Sequence, residues 1–207
     1  MKNHKSQAKA TTAVACPFRK AVGLLIIAVL FCSPGLACKK EKAEPIGPSI
    51  FQIDSTWVSQ DERKMKLEDF RGRPMLFSML YTNCKMICPR MASDMQKVYN
   101  SLNEEQKANL QLVAVSFDPL NDTPERLKQF QAKMGLQGNW TLLNGSESDV
   151  RTLSAALGIQ YRQTSDGHFT HSTVLLLLNE KGEPIYRKDR LNTDLEPLLE
   201  AASRATD

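Results

Sequence analysis

The stretch Pro74–Pro89, PMLFSMLYTNCKMICP, decides the fold. Its first eight residues, Pro74 to Tyr81, make an apolar run of strand length. A run with no polar face predicts a strand covered on both sides, as in a sheet flanked by helices. Pro89 suits the first turn of a helix, where its missing N–H is not needed, and predicts a helix to about Leu102. Cys84 and Cys88 fall between strand and helix, at the strand's C-terminal edge, where α/β sheets usually place ligands.

Further strands are predicted on either side of this unit. Leu112–Phe117 and Thr173–Leu178 are apolar runs of the same kind, and Asn179–Gly182 followed by Pro184–Tyr186 predicts a hairpin with Gly182 in its turn. Ser49–Leu67 alternates weakly and predicts an N-terminal β-hairpin. Asp122-Thr123-Pro124-Glu125 has the form of a helix start, with Asp122 as N-cap. Residues 149–157 and 194–202 predict two more helices. Strands alternating with helices give an α/β layer fold, a central sheet flanked by helices.

The chain has 207 residues, with 42% apolar, 24% charged, ten Gly and ten Pro, the composition of a folded globular protein. Residues 1–38 carry Lys2, Lys5, Lys9, Arg19 and Lys20 and no acid. Removing those five bases from 27 leaves 22 against 23 acids, so the body is nearly neutral at −1. Nucleic-acid binding is not expected, because counterion release needs clustered positive charge on the folded part.

The basic start precedes an apolar run, Ala21–Cys32, and the exit Ser33-Pro34-Gly35-Leu36-Ala37-Cys38. A membrane span needs about 20 apolar residues, and this run is shorter, so residues 1–38 read as an export segment. Leu36-Ala37-Cys38 resembles a bacterial lipobox, with cleavage before Cys38 and lipid attachment to it. Plain cleavage and a retained N-terminal anchor are the alternatives. Each places the domain in the bacterial cell envelope, outside the cytoplasm. Residues 39–48, charged and Pro-containing, read as a tether, and 49–207 as a single domain.

Cys16 and Cys32 lie in the export segment, so Cys84 and Cys88 are the cysteines of the body. A helix N-terminus favours the thiolate, which is both nucleophile and metal ligand, and Lys85 adds positive charge. Two such thiols suit reversible disulfide formation or chelation of a soft ion such as Cu(I). A structural disulfide is the plainer alternative, although so short a loop removes little unfolded-state entropy. A dithiol leaves copper two-coordinate, and the body offers two histidines, His168 and His171. His171 adjoins the predicted strand at Thr173, whereas His168 follows Gly167 in a looser stretch.

Taken together, Asp69-Phe70-Arg71-Gly72, Tyr81-Thr82-Asn83-Cys84 with Cys88-Pro89, Ser116-Phe117-Asp118-Pro119 with Asp122-Thr123-Pro124, and His171-Ser172 resemble the Sco/SenC proteins over about residues 50–190. The resemblance implies a thioredoxin-like fold and copper, Cu(I) or Cu(II), bound by Cys84, Cys88 and His171. It also implies service to a cuproprotein client such as cytochrome c oxidase subunit II, at that enzyme's dinuclear copper centre. Asp118 matches an acidic family position and is carried as a group near the metal; locally it also reads as a turn residue before Pro119. The chain departs from the pattern at Lys85 and Met86, where Pro and Asp are usual, and at Thr170, where Asp is usual.

The first functional reading is therefore an envelope copper metallochaperone. The second is a thiol-disulfide oxidoreductase in which Cys84 attacks, Cys88 resolves, and client copper-site cysteines are kept reduced. A thiol peroxidase fits less well, because Thr82-Asn83-Cys84 has one residue too few for the Thr-x-x-Cys spacing. A copper sensor or store is a further class. Met75, Met79, Met91 and Met95 read as core residues, as do Trp57 and Trp140. Met86, between the cysteines, is the methionine that qualifies as an auxiliary ligand.

Overall fold

The computed structural model describes residues 43–191 and 194–207. The export segment, Cys38 and the first residues of the tether lie outside the described residues. In chain order the elements are β1 (Trp57–Ser59), β2 (Lys64–Met65), β3 (Met75–Leu80), α1 (Ile87–Asn100), α2 (Glu104–Asn109), β4 (Gln111–Ser116), α3 (Pro124–Met134), β5 (Trp140–Gly145), α4 (Glu147–Ala156), β6 (Tyr161–Gln163), β7 (Phe169–His171), β8 (Leu175–Leu178), β9 (Pro184–Lys188) and α5 (Glu196–Thr206). Short 3-10 turns at Ile50–Gln52 and Leu67–Phe70 flank the N-terminal hairpin β1–β2.

Seven strands form one sheet in the order β2-β1-β5-β4-β3-β8-β9. β3, β4 and β5 run parallel in its centre, and β8 joins β3 antiparallel, with Phe77 opposite Leu176. Every residue of β3 and β4 is buried, as the apolar runs predict for strands covered on both faces. Fully burying a side chain such as Leu76 or Phe77 contributes about 1.5–3 kcal/mol. α1 contacts β3, α3 and α5, and α5 reaches β8 and β9, so these helices pack as a layer on the sheet. Among the described residues no helix is long and apolar enough to cross a membrane.

Two glycines are required by what lies next to them. Gly182, in the β8–β9 turn as predicted, has φ +74°, and a Cβ there would sit 2.8 Å from the Phe51 ring. Gly145 pairs with Trp57 across β5 and β1, and a Cβ would meet that fully buried indole at 2.5 Å.

The structure differs from the sequence reading in its smaller elements. α2, β5, β6 and β7 are additional: α2, β6 and β7 are short and largely polar, whereas β5 is a six-residue strand with Trp140, Leu142 and Leu143 buried, which the sequence reading passes over. The N-cap of α3 is Thr123, whose hydroxyl accepts the Arg126 N–H, with Pro124 as the first helical residue. Asp122 is therefore not a cap, and its carboxylate is used elsewhere.

Candidate metal centre

The site forms where β3 stops. The Cys84 N–H bonds back to the Tyr81 carbonyl at 3.3 Å, turning the chain sharply before α1 begins at Ile87. Cys88 lies in the first turn of α1, fully buried, while Cys84 on the preceding loop is half-buried. The turn places Cys84 Sγ over the start of the helix, where it accepts the Cys88 N–H at 3.3 Å. The N–H groups of Met86 and Ile87 also point at it.

These contacts divide the two thiols. Cys84 is held well below the usual thiol range, at about 4, chiefly by the hydrogen bond from the Cys88 thiol; burial opposes the shift and the three backbone N–H groups support it. Cys88 is pushed far up, because ionising it would lose the hydrogen bond it gives Cys84 and because it is buried. The resting state is a Cys84 thiolate accepting from a Cys88 thiol. Lys85, expected to supply positive charge here, is exposed to solvent.

The third member comes from outside the central sheet. β6 and β7 form a small separate hairpin, with Tyr161 opposite His171, fastened by the Ser172 N–H to Gln160 carbonyl bond at 2.8 Å. His171 Nδ1 lies 2.9 Å from the Ser172 carbonyl. A carbonyl can only accept, so Nδ1 carries the proton and Nε2 presents its lone pair. Nε2 points at Cys88 Sγ, 3.9 Å away. Three ligand atoms, one each from Cys84, Cys88 and His171, lie within 4.8 Å of one another. Two sulfurs and an imidazole suit a soft or borderline ion such as Cu(I), and the fixed imidazole tautomer is the one a metal requires.

Aromatic rings wall this cluster. Phe117 lies 4.8 Å from the His171 ring and 5.3 Å from Phe169. Tyr81 meets His171 edge-on at 6.2 Å. His168 stands outside the three-residue cluster and faces Tyr81, whose hydroxyl is 3.4 Å from its Nδ1.

Of the two acids in the Asp118–Asp122 turn, Asp118 is buried with both carboxylate oxygens taken by the Asn121 amide, and its own N–H donates to Ser116. Asp122 reaches the cysteine loop. It is fully buried and accepts the Thr82 N–H at 3.0 Å, the Thr82 hydroxyl at 2.5 Å and the Ser116 hydroxyl at 2.5 Å. Burial raises its carboxyl above the usual range, against the pull of these bonds. Sequence reasoning missed this role because Asp-Thr-Pro-Glu fits a helix start so well. The partner that mattered, Thr82, is 40 residues away.

Comparison with known proteins now places the chain. The SCO1/SenC family model matches residues 43–205. The chain belongs to the SCO1/SenC family. It is 30% identical to the SCO1 protein homolog of Bacillus subtilis over 132 residues, 62% of this chain and 68% of that one. It is also 30% identical over 131 residues to a Stutzerimonas stutzeri protein named as copper-binding, covering 62% of that protein. Among solved structures, a SCO1/SenC family lipoprotein from Bacillus anthracis superposes with a TM-score of 0.70 at 26% identity, over 81% of this chain and all of that one. The copper-bound ScoI of Arabidopsis thaliana shares the fold, with a TM-score of 0.64 at 16% identity over 80% of this chain and 98% of that one. The SCO1/SenC fold is thioredoxin-like, as the motifs implied, and the N-terminal hairpin β1–β2 extends its central sheet through β5.

Proposed function

We infer that this SCO1/SenC protein binds copper through Cys84, Cys88 and His171 and delivers it to a cuproprotein, the dinuclear copper centre of cytochrome c oxidase being the client the family resemblance implies. The observation that carries this reading is the convergence of two sulfurs and an imidazole nitrogen within 4.8 Å. The Stutzerimonas stutzeri relative, named for copper, supports the choice of ion. Cys84 offers a ready thiolate and Cys88 becomes a second one by losing a proton on loading. Delivery is ligand exchange, in which client cysteines displace the three donors one at a time. Asp122, through Thr82, holds the loop that carries Cys84, and Asp118 supports the turn that carries Asp122.

The Bacillus anthracis lipoprotein supports an envelope location for this chain, with residues 1–38 as export segment and Cys38 as the lipid site. Mass spectrometry of membrane-extracted protein tests this: a chain beginning at a lipid-modified Cys38 is expected, and an intact 1–37 segment would instead mean a retained anchor.

The inequality of the thiols favours a second role on the same residues. A solvent-accessible thiolate beside a buried thiol is the arrangement of an attacking and a resolving cysteine. The two roles share the dithiol state, because a disulfide cannot hold copper. The deciding experiment measures copper stoichiometry and affinity of the full-length chain, reduced and oxidised, beside Cys84→Ala and Cys88→Ala. One copper per reduced chain, and loss of tight binding in either variant and on oxidation, is expected. Full binding by either variant would overturn the site.

A further inference from the structure

Met75 and Met79 in β3, and Met91 and Met95 in α1, are core residues, as the sequence reading expects. Met86 is 76% exposed although it stands between the two cysteines. Packing does not explain a large apolar side chain there. Helix capping does not explain it either: Met86 is the N-cap of α1 and makes no side-chain capping bond, at a position that favours Ser, Thr, Asp or Asn. Its backbone N–H points at Cys84 Sγ, so its side chain springs from the loop that wraps the thiolate. The side chain is unbranched, with a soft thioether at the end of a flexible stem.

We propose that Met86 is a transit ligand for Cu(I), taking it from the donor before Cys84 does and holding it again on the way out. The inference rests on the copper reading above. A thioether suits this task because it binds Cu(I) without losing a proton, and because it is neutral and yields to thiolate. On loading, Met86 Sδ bonds to Cu(I) as one bond to the donor breaks. The Cys84 thiolate then displaces the remaining donor ligand. Cys88, giving its proton to water, and His171 Nε2 complete the set as the thioether leaves. Copper stays Cu(I) throughout and no electron moves. A ligand bonded only in transit lowers the barrier equally in both directions and leaves the equilibrium in place.

The test is stopped-flow exchange of Cu(I) between the reduced full-length chain and a chromophoric Cu(I) chelator, for the wild type, Met86→Leu and Met86→Ser. Leu keeps the bulk without the sulfur, and Ser supplies a favoured N-cap so that α1 is not weakened. Both variants are expected to slow uptake and release alike by roughly tenfold, the effect of losing one weak bond in the exchange transition state, while the ratio of the two rates stays at the wild-type value. Unchanged rates would overturn the proposal. So would a loss of equilibrium affinity with normal uptake, since Met86 would then be a resting ligand. A wild-type chain that takes no Cu(I) from the chelator would overturn the copper reading itself, a result distinct from either.

Discussion

Cys84 Sγ accepts the backbone N–H of Cys88 at 3.3 Å, so the helix that carries one cysteine stabilises the anion of the other. The first turn of α1 has free N–H groups, as every helix start does. Cys84, four residues before Cys88 on a tight turn, is folded back onto them. Cys88, inside the turn, is buried and donates its thiol proton to the same sulfur. One geometry thus produces an accessible thiolate and a protected thiol.

Alkylation should separate them. With its pKa at about 4, Cys84 should react with iodoacetamide at a rate that is flat from pH 6 to 8 and falls only near pH 4. An ordinary thiol titrates near 8.5. The absolute advantage at pH 6 is small: the thiolate fraction rises by about 300-fold, but the lower basicity reduces nucleophilicity by about 100-fold, leaving about threefold. The pH profile is therefore the readout. Peptide mass analysis should find Cys84 modified well before Cys88, and equal labelling would contradict the assignment.

Proton release on copper loading follows from the same inequality. Near pH 7 the thiol pair holds one proton, so loading should release about one proton rather than two, and log affinity should rise by about one per pH unit between pH 5 and 8. Calorimetry in buffers of different ionisation enthalpy, on His171→Ala so that only the thiols contribute, measures this. Release of two protons would mean that Cys84 is a normal thiol.

Gly145→Ala is a test of the fold alone. The new methyl would lie 2.5 Å from the Trp57 ring, where β1 meets β5, and overpacking of this kind costs about 1–3 kcal/mol. Chemical denaturation should show that loss while Cu(I) stoichiometry stays at the wild-type value, because the contact is with the N-terminal hairpin rather than with the cysteine loop.

Local pattern carries far in this chain, and then stops. β3, β4 and β8 are legible because each is an apolar run with no alternative burial, and α1 because Pro89 marks its first turn. The Cys84–Cys88 pair is legible from its place at a strand end. The hairpin β6–β7, which delivers His171, is not: its strands are three residues each, largely polar and half-exposed, and only tertiary pairing defines them. Nor is the ring wall of Tyr81, Phe117 and Phe169, assembled from three separate segments. Asp122 was misread because one short motif satisfied a local rule while the residue answered to a distant one.

The two histidines should differ sharply. His171 Nε2 faces the Cys88 sulfur and its Nδ1 is fixed by Ser172, whereas the His168 ring stands outside the cluster with its Nδ1 on the Tyr81 hydroxyl. His171→Ala should weaken Cu(II) strongly, since imidazole suits it, and Cu(I) less, since two thiolates remain. His168→Ala should change either affinity by no more than about twofold. Competition titrations with both oxidation states check this. A damaging His168→Ala, or a silent His171→Ala, would move thiol exchange ahead of copper delivery.

Asp122 joins the end of β4 to the cysteine loop, and its removal should be felt in both places. Asp122→Ala leaves the Thr82 N–H and two hydroxyls without their acceptor in a buried setting, which costs about 1–3 kcal/mol for the amide alone. It should also loosen the turn that positions Cys84, lowering Cu(I) affinity and raising the pH at which Cys84 alkylates toward the ordinary thiol value. Asp122→Asn keeps the shape, can still accept the Thr82 N–H, and can donate to a hydroxyl that reverses its role, so it should recover most of the stability and the low-pH reactivity. The pH dependence has a fixed sign. Burial raises the Asp122 carboxyl, so the folded state binds its proton more readily than the unfolded one. Relative to Asp122→Asn, the wild type should therefore gain stability as pH falls through the window just above the usual carboxylate range, and lose it as pH rises. Denaturation of both proteins across pH 4 to 7, with Cys84 alkylation followed in parallel, measures the effect. If Asp122→Ala alkylated with the wild-type pH profile, Asp122 would be a packing residue of the turn and not the support of the thiolate.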